Sequence, residues 1–410
     1  MQKLPLPERA GWRDRAAEFG FTFADMGGEP YWDETSAYRF TLEEIETRIE
    51  DPATELHALC RQAVDHAVAS EEWLDRLGIP AVHHDLVAQS WRAGEPELYG
   101  RLDLAYGMAG EPHAKLLEYN ADTPTALYES ASFQWLWLEE ARAQGLLPPE
   151  ADQFNAIHEA LVARWGEVAA PGTDIHFAAD KDNPEDYATV EALAWAAREA
   201  GLGAHFTDLS AIGLSTEGQF TDDRDRVIGT LFKLYPWEDM LRDEFAPHLA
   251  PSGTRFIEPP WKAILSNKGL LALLWELAPG HPNLLPAFFA AEVGDALAGR
   301  GAPAPRIARA FEAADPALRR AHVRKPLFSR EGAGVEILEG GRATEASPDR
   351  AYSHHPGVVQ ALAPLPAFDG FHPVLGAWIV GESCAGLGIR EDRSRITLDS
   401  SRFKPHFIEG

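Results

Sequence analysis

Apolar residues recur along this chain with two periods, and the changes between them mark the elements. Thr41 followed by Glu44 reads as a capping box opening a helix over Leu42–Ile49. Leu56, Leu59, Cys60, Val64 and Ala67 keep a helical period over Ala53–Leu74, so the first hundred residues read mainly as helices. Alternation then predicts strands over Leu98–Leu104 and His113–Tyr119, joined by a turn containing Gly107 and Gly110. A helix is expected over Pro124–Ala143, with Thr123 as N-cap and Pro124 at its first position, where the missing N–H costs nothing.

The middle alternates strand and helix: Ile175–Ala179, Asp186–Ala200, Val227–Leu234, then a helix around Trp237–Phe245. That succession indicates an α/β fold. Further on, Leu270–Leu277 reads as helix, and His322–Leu327 and Val335–Leu338 as strands flanking a glycine turn. Ala377–Gly381 and Gly386–Arg390 read as a terminal hairpin, Gly340–His355 as a polar loop and Gly294–Pro305 as a linker.

The chain has 410 residues, 45% of them hydrophobic, and a net charge of −27. That excludes a disordered chain, and the acidic balance argues against a nucleic-acid partner, whose phosphates need basic patches. The same field favours cationic small molecules, although a solubilising surface also accounts for it. Cys60 and Cys384 are the only cysteines, too few for a disulfide framework or a CxxC zinc site. Neither a leader pattern nor an 18-residue apolar run occurs, so no membrane contact and a cytoplasmic location are expected.

Five constellations carry chemistry. Arg101 and Asp103 share one strand face, as do Glu118 and Asn120, and pairing of the two strands brings the four groups together. Two carboxylates about 4 Å apart repel by roughly 4 kcal/mol at an effective dielectric of 20, so a cation belongs between them. Either Arg101 bridges them, or their oxygens with Asn120 hold a hard ion such as Mg²⁺. Lys268 falls in the first turn of the helix after Ser266-Asn267, where a cation is unfavourable: either a phosphate docks there, or a solvated lysine tolerates the small penalty. Lys325 precedes the glycine turn at Gly332 and Gly334, whose backbone N–H groups can cradle phosphate or simply form a hairpin. Glu185 and Asp186 open a helix, where they complement its dipole or form a pocket for an amine. Arg390, ending the strand with Gly386 and Gly388, suits a phosphate or carboxylate, or an ion pair with Glu391.

These residues stand in a longer pattern. Arg101-Leu-Asp103, Glu118-Tyr-Asn-Ala-Asp-Thr-Pro124, Glu258-Pro-Pro-Trp261 with Asn267-Lys268, Val323-Arg-Lys-Pro326 and Gly381 to Arg390 span nearly the whole chain. In this the sequence resembles the glutathionylspermidine synthase family of ATP-grasp ligases. The resemblance implies a mixed α/β (α+β), glutathione-synthetase-like ATP-grasp fold with permuted element order. It implies a helical region with the metal-ligand hairpin (1–170), a substrate-side α/β region (171–255), a lid region (256–345) and terminal strands completing the site (346–410).

By the same resemblance, Asp103, Glu118 and Asn120 would bind Mg²⁺. Lys268 and Lys325 would contact ATP phosphates under a Gly332–Gly334 lid, and Gln360 and Leu362 would border adenine. Arg101 and Arg390 would steady the reacting groups, and Thr123, Glu185 and Asp186 would lie on the substrate side. The implied activity is ATP-driven joining of a small-molecule acid to an amine, such as glutathione or another peptide to a polyamine. The length leaves no room for the amidase domain of bifunctional members. Leu234 stands where a hydroxyl residue is expected, and Asp186 replaces a glutamate. A non-catalytic ATP- or polyamine-binding protein, or a peptide ligase with other substrates, is the alternative. A homodimer is compatible with either.

Overall fold

The computed structural model describes residues 1–26 and 28–409. Its centre is a five-stranded antiparallel sheet ordered Arg402–Lys404, Ser383–Asp392, His372–Val380, Tyr99–Ala105, Lys115–Asn120. The two ends of the chain therefore build one layer. Leu102, Leu104, Leu116 and Tyr119 share a core with Leu375, Ala377, Ile389 and the apolar face of the helix Asp51–Val68. The intervening residues are left to face the other way, as strand alternation requires.

A second antiparallel sheet is ordered Ala287–Phe289, Gly357–Ala361, Ala321–Pro326, Glu336–Glu339, Arg342–Ala346. A third is wholly parallel, ordered Arg255–Ile257, Thr230–Lys233, Asp174–Ala179, Gly203–Asp208. Its strand Asp174–Ala179 is followed by the helix Pro184–Glu199, as expected of a parallel crossover. The mixture of antiparallel and parallel sheets with helices is the expected α/β class.

Several local expectations are corrected. The capping box at Thr41 is present, with Thr41 Oγ1 accepting from Glu44 N at 3.1 Å. The α-helix it opens gives way at Glu46–Glu50 to a π-helical turn, and a break at Ala69–Ser70 divides the next predicted helix. Thr123 caps no helix: regular helix begins only at residue 127, after Ala126 in the left-handed region, and passes through a π-turn at Glu129–Phe133. The predicted loop over Gly340–His355 contains the strand Arg342–Ala346, and the predicted linker begins inside the helix Ala290–Leu297. Among the described residues, no helix is long and apolar enough to cross a membrane.

Candidate active site

The hairpin pairs Arg101 with Asn120 and Asp103 with Glu118, placing all four on one face. Arg101 lies flat across Gly376, where a Cβ would meet its Cδ at 2.7 Å. It grips Asp103 through Nε (2.7 Å) and Nη2 (3.1 Å), donates from Nη1 to Thr125 O (2.7 Å), and rests 5.7 Å from the Trp378 ring. Arg101 does not bridge the two acids. Glu118 instead faces Lys268, whose Nζ is 3.3 Å away and also donates to Ser329 O at 2.8 Å. Lys268 is the residue before the helix Gly269–Leu277, not within its first turn; Asn267 Oδ1 takes the Gly269 N–H at 2.9 Å.

A β-bulge after Asp103 sets Leu104 against Leu116 and leaves Leu117 without a partner. The Leu117 carbonyl accepts from Lys325 Nζ at 2.7 Å, and the Leu116 carbonyl from Gln360 Nε2 at 2.9 Å. The lysine of the second sheet is thereby tied to the acidic hairpin of the first. A cleft open to solvent lies between them. Asp103, Glu118, Lys325, Gly332, Gln360 and Leu362 line it.

Charge follows this geometry. Burial works to raise the Glu118 carboxyl, but Lys268 and Lys325 outweigh it and hold it at about 2. Burial raises Asp103 despite the Arg101 guanidinium beside it. Burial brings Lys325 down to about 8.

The donor set fits a hard divalent cation bound together with phosphate. Asn120 Nδ2 lies 3.0 Å from Asp103 Oδ2 and 3.3 Å from Glu118 Oε1, so a half-turn of the amide presents its oxygen where both carboxylates converge. Among the described residues there is no cluster of three His, Cys, Asp or Glu suited to a metal. A cation here would complete its shell from phosphate and water, as Mg²⁺ does.

The glycine turn packs against the terminal segment. Gly332 has φ +70° and an added Cβ would stand 2.6 Å from Thr397 O, so only glycine fits; Gly334 shares that left-handed conformation. Arg390 faces a smaller cavity adjoining the cleft, lined also by Arg101, Asp103 and Ser130. Its Nη2 donates to the carbonyls of Leu398 (2.7 Å) and Ser401 (3.4 Å), while its buried Nε has no partner among the described residues. The alternative pairing with Glu391 does not occur: Glu391 turns to Lys3 (2.8 Å) and Tyr38.

Asn183 caps the helix that Glu185 and Asp186 open, accepting from Glu185 N (3.0 Å) and Asp186 N (3.2 Å). Burial, then the neighbouring Glu185, lifts Asp186 to about 7. Thr123 Oγ1 accepts from Arg330, which precedes the glycine turn, at 3.2 Å. Sequence reasoning missed Glu129, a buried carboxyl that accepts from Tyr31 Oη at 2.7 Å and is lifted to about 7 by burial and then by Glu185. A lone acid within the otherwise uncharged run Ala126–Phe133 was its signal. Also missed were Asp122 and Lys233, a wholly buried ion pair; Asp122 additionally takes Trp237 N at 2.8 Å.

The family model described as glutathionylspermidine synthase preATP-grasp matches residues 3–409. A Haemophilus influenzae protein named as an acid–amine ligase is 38% identical, with 98% of each chain covered. The trypanothione synthetase of Crithidia fasciculata is 27% identical over 97% of this chain and 61% of its own length. The bifunctional glutathionylspermidine synthetase/amidase of Escherichia coli is 24% identical, and the chain spans 63% of it. The apo structure of a glutathione synthetase-like effector from Globodera pallida has the same fold, with TM-score 0.53 and 12% identity over 91% of this chain and 89% of that one. The chain belongs to the glutathionylspermidine synthase family, whose named relatives here are C–N bond-forming ligases.

Proposed function

We propose that this protein is an ATP- and Mg²⁺-dependent acid–amine ligase working through an acyl phosphate. The observation that carries this reading is the meeting of Asp103, Glu118 and Lys325 at one cleft, with Lys268 paired to Glu118 and Asn120 beside both carboxylates. Mg²⁺ bound with ATP would supply charge neutralisation at the transferred phosphoryl group.

The chain's own residues account for the rest. Asp103, Glu118 and Asn120 offer oxygen ligands from a rigid hairpin. Lys268 and Lys325 face the phosphates as ammonium groups, and Gln360 and Leu362 wall the base. Arg390 offers an unpartnered N–H toward the acid's carboxylate once it carries phosphate. Arg101, held by Asp103 and Thr125, is a fixed charge beside it.

The acid's oxygen takes the phosphoryl group and ADP leaves; the amine nitrogen then attacks the carbonyl carbon, phosphate leaves, and the ammonium proton must be accepted. Glu129 and Asp186, both held at about 7, are suited to take it. Glu185 and Asp186 make the amine side anionic, in keeping with a polyamine or another cationic amine. Glutathione or another peptide is the acid that the family relationship favours.

A phosphate-release screen crossing peptides, glutathione included, with amines, spermidine included, tests this. At least one pair should release phosphate and form amide in equal amounts, only with Mg²⁺. ATP binding without turnover across the panel would favour a non-catalytic binding protein.

A further inference from the structure

The motif Glu258-Pro-Pro-Trp-Lys262 takes no part in the cleft, yet it builds a deeply buried charge cluster around the back of the hairpin. The Lys262 side chain is fully buried. Its Nζ contacts Glu97 Oε2 (2.9 Å) and Glu258 Oε2 (3.2 Å). It also donates to two backbone carbonyls, Tyr99 O at 2.9 Å and Ala121 O at 3.1 Å. Tyr99 lies two residues before Arg101, and Ala121 directly follows Asn120. One ammonium thus joins the two hairpin strands at the end where Arg101 pairs with Asn120.

The surrounding contacts hold that ammonium in place. Glu258 accepts from Leu98 N (3.1 Å) and Tyr99 N (3.0 Å). Glu97 meets His57 Nε2 at 3.2 Å and Arg61 at 3.1 Å. His57 Nδ1 lies 2.9 Å from the hydroxyl of Tyr119, which sits between Glu118 and Asn120 on the strand.

Buried ion clusters are poor sources of stability: apolar groups of the same shape often serve as well or better. What an apolar residue cannot do is bind two carbonyls at once. We propose that Lys262 is a positioning residue, setting the separation of the two strands and so the spacing of Asp103, Glu118 and Asn120 toward a metal–nucleotide complex. This rests on the metal-binding reading of that hairpin.

Binding of Mn²⁺ with ADP, followed by electron paramagnetic resonance, tests it without turnover. Lys262→Met should weaken Mn²⁺ binding tenfold or more while thermal unfolding stays cooperative. Glu258→Gln, which leaves the ammonium on both carbonyls, should lower the melting temperature and change Mn²⁺ affinity less than twofold. A cooperatively folded Lys262→Met protein with affinity within twofold of wild type overturns the proposal. Should Lys262→Met fail to fold, Lys262→Arg decides: its wider head must shift Mn²⁺ affinity at least fivefold, and unchanged affinity overturns the proposal. Wild-type protein that binds no Mn²⁺ with nucleotide would instead sink the metal reading itself.

Discussion

Lys268 Nζ stands 3.3 Å from Glu118 Oε2, an ion pair joining the start of one helix to the middle of a strand 150 residues earlier in the chain. Lys268 is among the groups that keep Glu118 ionised despite burial. In the proposed enzyme the pair is where phosphate and metal meet, so each partner serves the other's ligand.

Lys268→Ala should therefore remove a phosphate contact and disturb a metal ligand together. An activity loss of at least 100-fold is expected, because removing one group that stabilises charge developing in the transition state typically costs about 10²–10³ in rate. Phosphate release measures the loss. Mg²⁺–nucleotide should stabilise wild type against heat and leave the variant's melting temperature unchanged.

The hairpin was legible because Leu102 lies between Arg101 and Asp103 and Tyr119 between Glu118 and Asn120, which puts each polar pair on one strand face; their convergence depended on the pairing of the two strands. The helix start after Pro124 was misread for the opposite reason. Thr123-Pro124 is a strong local capping signal, but the preceding Asp122 is committed to Lys233 and to the Trp237 N–H, and the chain reaches its helix only after Ala126. The strand Arg342–Ala346 escaped notice because it is a polar edge strand, largely exposed, with no apolar alternation to reveal it. Lys268 and Lys325 were legible as chemistry, but their ties to Glu118 and Leu117 depend on sheet packing that no local pattern records.

Lys325 predicts a pH dependence. Burial is the largest influence on it and lowers its value to about 8, so the ammonium loses its proton as pH rises through 8. The attraction for phosphate should weaken over that range, and nucleotide affinity of the free enzyme should fall between pH 7 and 9. Lys325→Arg stays charged throughout and should flatten that limb even if its basal affinity is lower. Calorimetric titration with ADP across the range checks both.

Gly332 tests the lid. Alanine there would have to adopt φ +70° and place its Cβ 2.6 Å from the Thr397 carbonyl, so the lid must lift. Gly332→Ala should raise KM for ATP about tenfold or more while leaving the melting temperature within a few degrees, since one strained turn costs about 1–3 kcal/mol. An unchanged KM would mean that the lid does not close over nucleotide.

Glu129 makes an opposite demand on stability and activity. Its folded value of about 7, raised by burial and then by Glu185, exceeds the usual value of a glutamate near 4.5. The folded state thus holds the proton more tightly. Its stabilising contribution is complete below about pH 4.5 and disappears as pH rises through 7. Glu129→Gln keeps a hydrogen-bonding group for Tyr31 and cannot ionise. Relative to wild type it should gain stability with rising pH, by on the order of 2–3 kcal/mol at pH 8 compared with pH 4. Urea unfolding at the two pH values measures this difference. If Glu129 also accepts the proton of the attacking amine, the same variant loses turnover while binding nucleotide normally, so a protein that is more stable at pH 8 and yet inactive is the expected pair of results.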